Sequence, residues 1–261
     1  MMKKREGVDI VVEIGGIKTP KAAARLFEEK LEAEQLSRLQ RIKHPEVKLK
    51  IANALAMCRP EYVFVNTGTE SDRQFIRDLA LERGEESKLP MSGHTIHYDL
   101  REEQGRIIDR TYYFTNPEDL VSTLANKIDR HEALEDIRDK MSGIMAGMTM
   151  IVGFYLRGPV GAPVSNPALE ITSSAYVSHS AEILYRNVFD HFDEQVKRLG
   201  HFYTNIHSQG LNRPEDLPSA RVYMDRSYQA TYSINCTYAG NTLLLKKGNH
   251  RFSVDKAIYE N

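Results

Sequence analysis

Leu26, Leu31 and Leu39 recur among charged residues in the run AAARLFEEKLEAEQLSRLQRI, and Thr19-Pro20 ahead of it reads as an N-cap followed by proline in the first turn, so the fold opens on helix. His44-Pro45 restarts the chain for a second helical stretch. Tyr62, Val63, Phe64 and Val65, a β-branched and aromatic run closed by Gly68, predict a buried strand. Ser71 and Gln74 have the spacing of a capping box, the period stays helical to Arg83, and Gly84 stands where a C-terminal cap belongs. HTIHYD and RTYYFT read as strands, Asn116-Pro117 marks a further helix start, and a helical stretch from about His131 leads into the strand candidate MTMIVGFYL. Beyond a Gly/Pro-rich loop, Val177, Ala181, Leu184 and Val188 share one helical face, and the stripe continues toward Gly200. HFYTNI, ARVYM and YSINCTY follow as strands, and no repeat or low-complexity tract interrupts the order. This mixed succession predicts an α/β or mixed α+β fold, a mixed sheet flanked by helices.

A chain of 261 residues is long enough for a sizeable core, and 41% hydrophobic with 27% charged residues is the mix of a folded protein rather than a disordered one. Lys and Arg number 35 against 36 Asp and Glu, so no global field recruits nucleic acid or anionic lipid, and any polyanion site must be local. Arg38, Arg41 and Lys43 sit close to Glu32 and Glu34, which argues against a nucleic-acid face there. Cys58 and Cys236 are too few and too far apart for a disulfide framework or a Cys-rich zinc site, which fits a reducing cytoplasm. The most apolar window, residues 144–156, is interrupted by Gly147, Thr149 and Gly153 and falls short of the ~20 residues that span a bilayer. Lys3, Lys4 and Arg5 are followed by an apolar stretch broken at Asp9 and Glu13, so no signal-peptide core forms. No membrane association is expected.

Three stretches carry candidate chemistry. GPVGAP, residues 158–163, forces a tight turn whose backbone can approach a ligand, and it matches neither a dinucleotide fingerprint nor a phosphate loop, since GKS and GKT are absent from the chain. TYAGNTLLLKKG, residues 237–248, runs from strand into a turn with backbone N–H groups and then two lysines, a pattern that fits an anion site or a basic surface patch. GHTIHYDLREEQGRIIDRT places His94 and His97 three positions apart, on opposite faces of a strand, where they read as structural rather than as joint metal ligands. Arg106 and Arg110 in the same stretch offer guanidinium groups suited to bidentate contact with a carboxylate or phosphate. Cys58, at an amphipathic helix end, reads as core filler.

Read together, PEYVFVNTGTESD, GEES with GHTIHYD, EEQGRIIDRT, FYLRGPVGAPVSNPALEITSSAYV and YAGNTLLLKKGNHRFSV resemble, in order, the N-terminal half of the GTP-dependent phosphoenolpyruvate carboxykinases, in particular their archaeal branch. The resemblance implies the N-terminal substrate-binding lobe of an enzyme that decarboxylates oxaloacetate to an enolate and phosphorylates it from GTP, with Mn2+ at the active centre, giving phosphoenolpyruvate, GDP and CO2. By the same resemblance, Arg106 matches the arginine that binds the substrate's carboxylate or phosphate, with Arg110 as the alternative in that block. Tyr238, Ala239 and Gly240 match the family's Tyr-Gly-Gly substrate turn, with Asn241 beside it; Lys246 is the substrate-facing cation and Lys247 the manganese ligand. Two positions depart from the pattern, Ala239 and Leu245, each standing where the family has glycine.

A lysine can ligate a metal only when neutral, which the adjacent dication and Lys246 would favour. The histidine and aspartate that complete the family's metal site, and its phosphate loop for GTP, are not in the chain. The resemblance therefore implies residues 1–261 as an N-terminal domain cut near the start of a C-terminal nucleotide-binding domain, which would bind GTP and GDP. A non-enzymatic dicarboxylate-binding or scaffold module, from a split or degenerate carboxykinase lobe, is the competing reading. The terminal segment with Phe252, Val254, Ala257 and Ile258 fits either a frayed helix or a chain cut short.

Overall fold

The structure, a computed structural model, describes residues 7–98, 110–115 and 126–236. Helix α1 (Ile10–Gly15) leads to α2 (Pro20–Lys30), where the Thr19 hydroxyl accepts the Ala22 N–H as foreseen. The leucine-rich run is not one helix: extended backbone at Leu31 separates α2 from α3 (Ala33–Arg41). The break turns α3 onto the edge of β1 (Tyr62–Val65), where Gln35 Oε1 accepts the Val65 N–H at 2.8 Å and Arg38 Nη1 donates to the Val65 carbonyl at 3.0 Å. Backbone groups that would otherwise present a free sheet edge are thus covered.

After α4 (Pro45–Cys58) and β1 comes α5 (Glu70–Glu82), capped by Thr69 rather than Ser71, because the Thr69 hydroxyl is the one that reaches the Asp72 N–H. Gln74 instead donates to Asp78. The HTIHYD stretch contributes only Thr95–Ile96 (β3), paired with Ser87–Lys88 (β2) in a separate two-stranded ribbon. The chain continues through β4 (Thr111–Thr115), β5 (Asn126–Asp129), α6 (Arg130–Met141), β6 (Thr149–Arg157), β7 (Asn166–Thr172) and α7 (Ala175–Leu184). The apolar stripe does not carry α7 on toward Gly200: Arg186–Asn187 (β8) pairs with Leu156 and Tyr155 of β6, and α8 (Phe192–Leu199) is a separate helix. Leu184, assigned to the stripe, is 45% exposed. β9 (Tyr203–Ser208), β10 (Arg221–Asp225) and β11 (Ala230–Ile234) complete the described strands, and short 3-10 helices lie at Phe189–His191 and Pro214–Ser219. The Asn116-Pro117 helix start and the terminal segment lie outside the described residues.

Apart from the β2-β3 ribbon, the described strands form one mixed sheet in the order β1-β6-β7-β9-β11-β10-β4-β5, with β8 also on β6. One face, carrying Val63, Val152, Phe154, Leu169, Ile206 and Tyr232, packs into a large apolar core with α1, α4, α6 and α8. The other face carries smaller apolar clusters, among them Ala168 of β7 and Tyr203 of β9 with Tyr185. Phe64 and Ile151 meet Ile76 and Ala80 of α5 and Ala175 of α7 at one end, and Val222 and Met224 meet Cys236 at the other. Gly153 sits beneath the ring of Tyr155, where an added Cβ would stand 2.4 Å from a ring carbon, so a side chain there would displace the tyrosine.

Candidate functional site

Arg106, Tyr238, Ala239, Gly240, Asn241, Lys246 and Lys247 lie outside the described residues, but the strands that lead to them are described. β10 runs parallel to β4, with Val222 opposite Thr111, and antiparallel to β11, with Val222 opposite Ser233. The start of β4 and the end of β11 therefore lie two strands apart at one end of the sheet, about 10 Å at ordinary strand spacing. Arg106 precedes Thr111 by five positions, and Tyr238 follows Ser233 by five. The antiparallel pairing of β10 and β11, which sequence pattern could not foresee, brings the start of β4 and the end of β11 to a common rim. Arg110, at the same rim, donates through Nη1 to the Leu217 carbonyl of the short helix Pro214–Ser219, so part of its guanidinium is committed to holding that helix.

The exit from β11 is shaped with care for direction. Asn235 adopts a left-handed backbone (φ 51), its N–H donates to the Ser208 carbonyl at 2.8 Å, and its side-chain amide donates to Ser219 Oγ at 2.6 Å. This turns Cys236 over the second face of the sheet, where its carbonyl accepts from His207 Nε2 at 2.6 Å. His207 is fully buried, and burial holds its pKa down at about 4 despite the Cys236 carbonyl, so the ring is neutral.

That second face is polar across its centre. Glu170 on β7 lies opposite Asn205 on β9, which lies opposite Thr231 on β11; Ser233 is the next residue of β11 on the same face. Glu170, Asn205, Thr231 and Ser233 are all buried, and their side-chain oxygens and nitrogens have no hydrogen-bond partner among the described residues. Interiors rarely leave polar groups so, and a polar floor beneath a ligand site, solvated or occupied, is one of the settings in which they do. Burial and the charge of Glu182 push the Glu170 carboxyl up to about 8, so it is mostly protonated at neutral pH. Glu182 is differently placed, accepting from Asn66 Nδ2 at 2.6 Å, Tyr155 Oη at 2.9 Å and Asn187 Nδ2 at 3.0 Å.

At the same end of the sheet a cleft of about 350 Å³ is lined by Arg83, Glu85, Met148, Ser173, Gln209 and Asn212, among others. Arg83 spans β6 and β7, donating to Thr149 Oγ1 at 2.9 Å and the Ser173 carbonyl at 3.0 Å. Glu85 Oε2 accepts from Ser174 Oγ at 2.6 Å and the Tyr176 N–H at 2.9 Å, tying the loop before β2 to the start of α7. Burial alone would raise the Glu86 carboxyl, but hydrogen bonds from His179 and Thr95 hold it below the usual range. His97 stacks on Tyr176 with ring centroids 3.5 Å apart and gives its Nδ1 hydrogen to the Glu85 carbonyl at 2.6 Å, whereas His94 Nδ1 approaches only the Ser92 carbonyl. Both histidines fasten local backbone. Among the described residues, no group of three or more His, Cys, Asp or Glu is placed to hold a metal ion.

Sequence reasoning missed β7 altogether, and with it Glu170; a glutamate and a proline inside NPALEIT obscured a central strand. It also passed over Arg83 and His207. Their only local signals were a helix-end arginine and a histidine in an otherwise plain strand.

Residues 50–258 match the family described as phosphoenolpyruvate carboxykinase N-terminal domain. Curated relatives named phosphoenolpyruvate carboxykinase [GTP] include one from Thermococcus sibiricus, 35% identical over 241 residues, covering 90% of this chain and 38% of the relative. One from Saccharolobus solfataricus is 36% identical over 208 residues (80% and 33%), and a bacterial one from Treponema pallidum is 27% identical over 221 residues (80% and 36%). The chain thus spans little more than a third of the length of these relatives.

Proposed function

Because the chain belongs to the phosphoenolpyruvate carboxykinase N-terminal domain family, we propose that it supplies the substrate-binding lobe of a GTP-dependent carboxykinase. In that reaction oxaloacetate loses CO2 to leave an enolate, and the enolate oxygen takes the γ-phosphoryl group of GTP, giving phosphoenolpyruvate and GDP. Negative charge builds on the enolate oxygen, so the site needs cations and N–H dipoles fixed before the reaction begins. Backbone N–H groups of the turn at Tyr238, Ala239 and Gly240, with Asn241, orient the substrate carboxylate. Lys246 supplies a positive charge to the substrate, and Arg106 supplies a planar fork suited to its carboxylate or phosphate.

Lys247, as a neutral amine, would hold Mn2+, which would supply a Lewis acid to the oxyanion. The chain contains no GKS or GKT phosphate loop, so GTP and GDP are bound by parts of the complete enzyme outside this lobe. No described helix is long and apolar enough to cross a membrane, and Cys58 and Cys236 are buried and not joined in a disulfide, which supports a cytoplasmic setting.

The observation that carries this reading is the meeting of the β4 entrance and the β11 exit at one rim. Calorimetric titration of the chain with phosphoenolpyruvate tests it. Arg106→Ala is expected to weaken binding by about 2–3 kcal/mol, the scale of a lost charge-assisted contact. Equal affinity in both proteins would remove Arg106 from the site and point to Arg110.

A further inference from the structure

His207 stands in the middle of a chain of hydrogen bonds whose direction is set by chemistry. A carbonyl oxygen only accepts, so the 2.6 Å contact to the Cys236 carbonyl requires the hydrogen on His207 Nε2. The buried ring is neutral, which leaves a lone pair on Nδ1, and that lone pair accepts from Thr172 Oγ1 at 2.7 Å. Thr172 Oγ1 in turn accepts the Ser174 N–H at 3.0 Å, and Ser174 Oγ accepts the Val177 N–H in the first turn of α7. The start of α7 is therefore linked, through one hydroxyl and one imidazole, to a single peptide carbonyl at the exit of β11. That carbonyl belongs to the residue two positions before Tyr238. Asn235, in its left-handed conformation, has already turned the chain onto this face.

We infer that His207 is a positioning residue for the substrate turn, its Nε2–H fixing the Cys236 peptide plane from which residues 237–241 depart. The inference deepens the proposed function and rests on it for the role of that turn. A backbone turn that binds an anion through N–H groups depends on their direction, and rotation of one peptide at its root re-aims those that follow. An imidazole suits the task because it donates at one end and accepts at the other, bridging β7 and the β11 exit without adding charge to a dry interior.

Two near-isosteric variants separate positioning from packing. His207→Gln can keep an N–H donor near the Nε2 position, whereas His207→Asn can keep only the acceptor toward Thr172. Both are measured in the full chain by amide hydrogen exchange of residues 237–241 and by calorimetric titration with phosphoenolpyruvate. His207→Asn is expected to speed exchange and weaken binding, each by about tenfold, the worth of one hydrogen bond, while His207→Gln stays within about twofold of the parent. Equal behaviour of the two variants overturns the inference.

Should neither variant fold, nitrogen-15 spectra of the parent imidazole decide. Hydrogen on Nε2 alone, unchanged from pH 8 to pH 5, supports the assignment, and hydrogen on Nδ1 or titration within that range defeats it. If the parent fails to bind phosphoenolpyruvate but the exchange contrast holds, the functional reading fails and the positioning of the exit stands. If the parent binds and the variants match, the reverse holds.

Discussion

Replacing Glu170 by Gln should change how stability depends on pH. The Glu170 carboxyl is buried among Asn205, Thr231 and Ser233 without a hydrogen-bond partner among the described residues, and its pKa stands at about 8 against an ordinary 4.5. In the unfolded chain the group ionises at its ordinary value, so between these limits unfolding releases a proton. The stability that protonated Glu170 allows is therefore fully present below 4.5 and is lost as pH rises toward 8, at about 1.4 kcal/mol per pH unit. His207 acts in the opposite sense. Its folded pKa of about 4 lies below the ordinary 6.5, so its contribution is complete above 6.5 and is lost as pH falls toward 4.

From these two groups, the slopes offset each other between pH 4.5 and 6.5, and above 6.5 Glu170 acts alone. Over the 1.5 units from pH 6.5 to 8 it should cost about 2 kcal/mol. Urea unfolding at the two pH values, in the parent and in Glu170→Gln, reads the difference directly. The parent should lose about 2 kcal/mol that the variant keeps. A decline of the same size in both would show that Glu170 ionises normally and is solvated or paired in the folded chain, which would refute the buried, unpartnered description of the polar face.

Asp225 receives both Nη groups of Arg130 at 2.7 and 2.6 Å in a buried pair, so Asp225→Ala should cost about 3–5 kcal/mol in urea unfolding; a loss below about 1 kcal/mol would mean that Arg130 finds other compensation. In a complete carboxykinase carrying this lobe, Lys247→Arg should abolish manganese-dependent activity and sharply weaken manganese binding read by electron paramagnetic resonance, because a guanidinium offers no lone pair, while Lys246→Arg should be milder. Equal manganese affinity in the parent and Lys247→Arg would reduce this lysine to part of a basic patch. The 261-residue chain alone should form no phosphoenolpyruvate from oxaloacetate and GTP in a coupled assay, and robust product formation would refute the assignment of nucleotide binding to other parts of the enzyme.

Local signals in the sequence were sufficient wherever structure is decided by neighbours a few residues apart. Thr19 and Pro20 start α2, Pro45 starts α4, and the β-branched run at Val63 makes a strand, because caps and periodicity act within a single turn or pleat. The ordered blocks around QGRIIDRT and YAGNTLLLKK likewise pointed to the family, since a family's motifs are written in residue identity.

Tertiary structure decided the rest. A break at Leu31 that the leucine rhythm concealed lets Gln35 and Arg38 cover the β1 edge, and β7 is a strand because β6 and β9 pair with it on either side, whatever Pro167 and Glu170 suggest locally. Which strands adjoin depends on loop closures and burial summed over the whole chain, and no window of sequence contains that sum. The same holds for the site. That His207 reaches the Cys236 carbonyl across 29 positions, and that the β4 entrance meets the β11 exit at one rim, follow from the pairing of β9, β11, β10 and β4, where contacts far apart in sequence outweigh local preference.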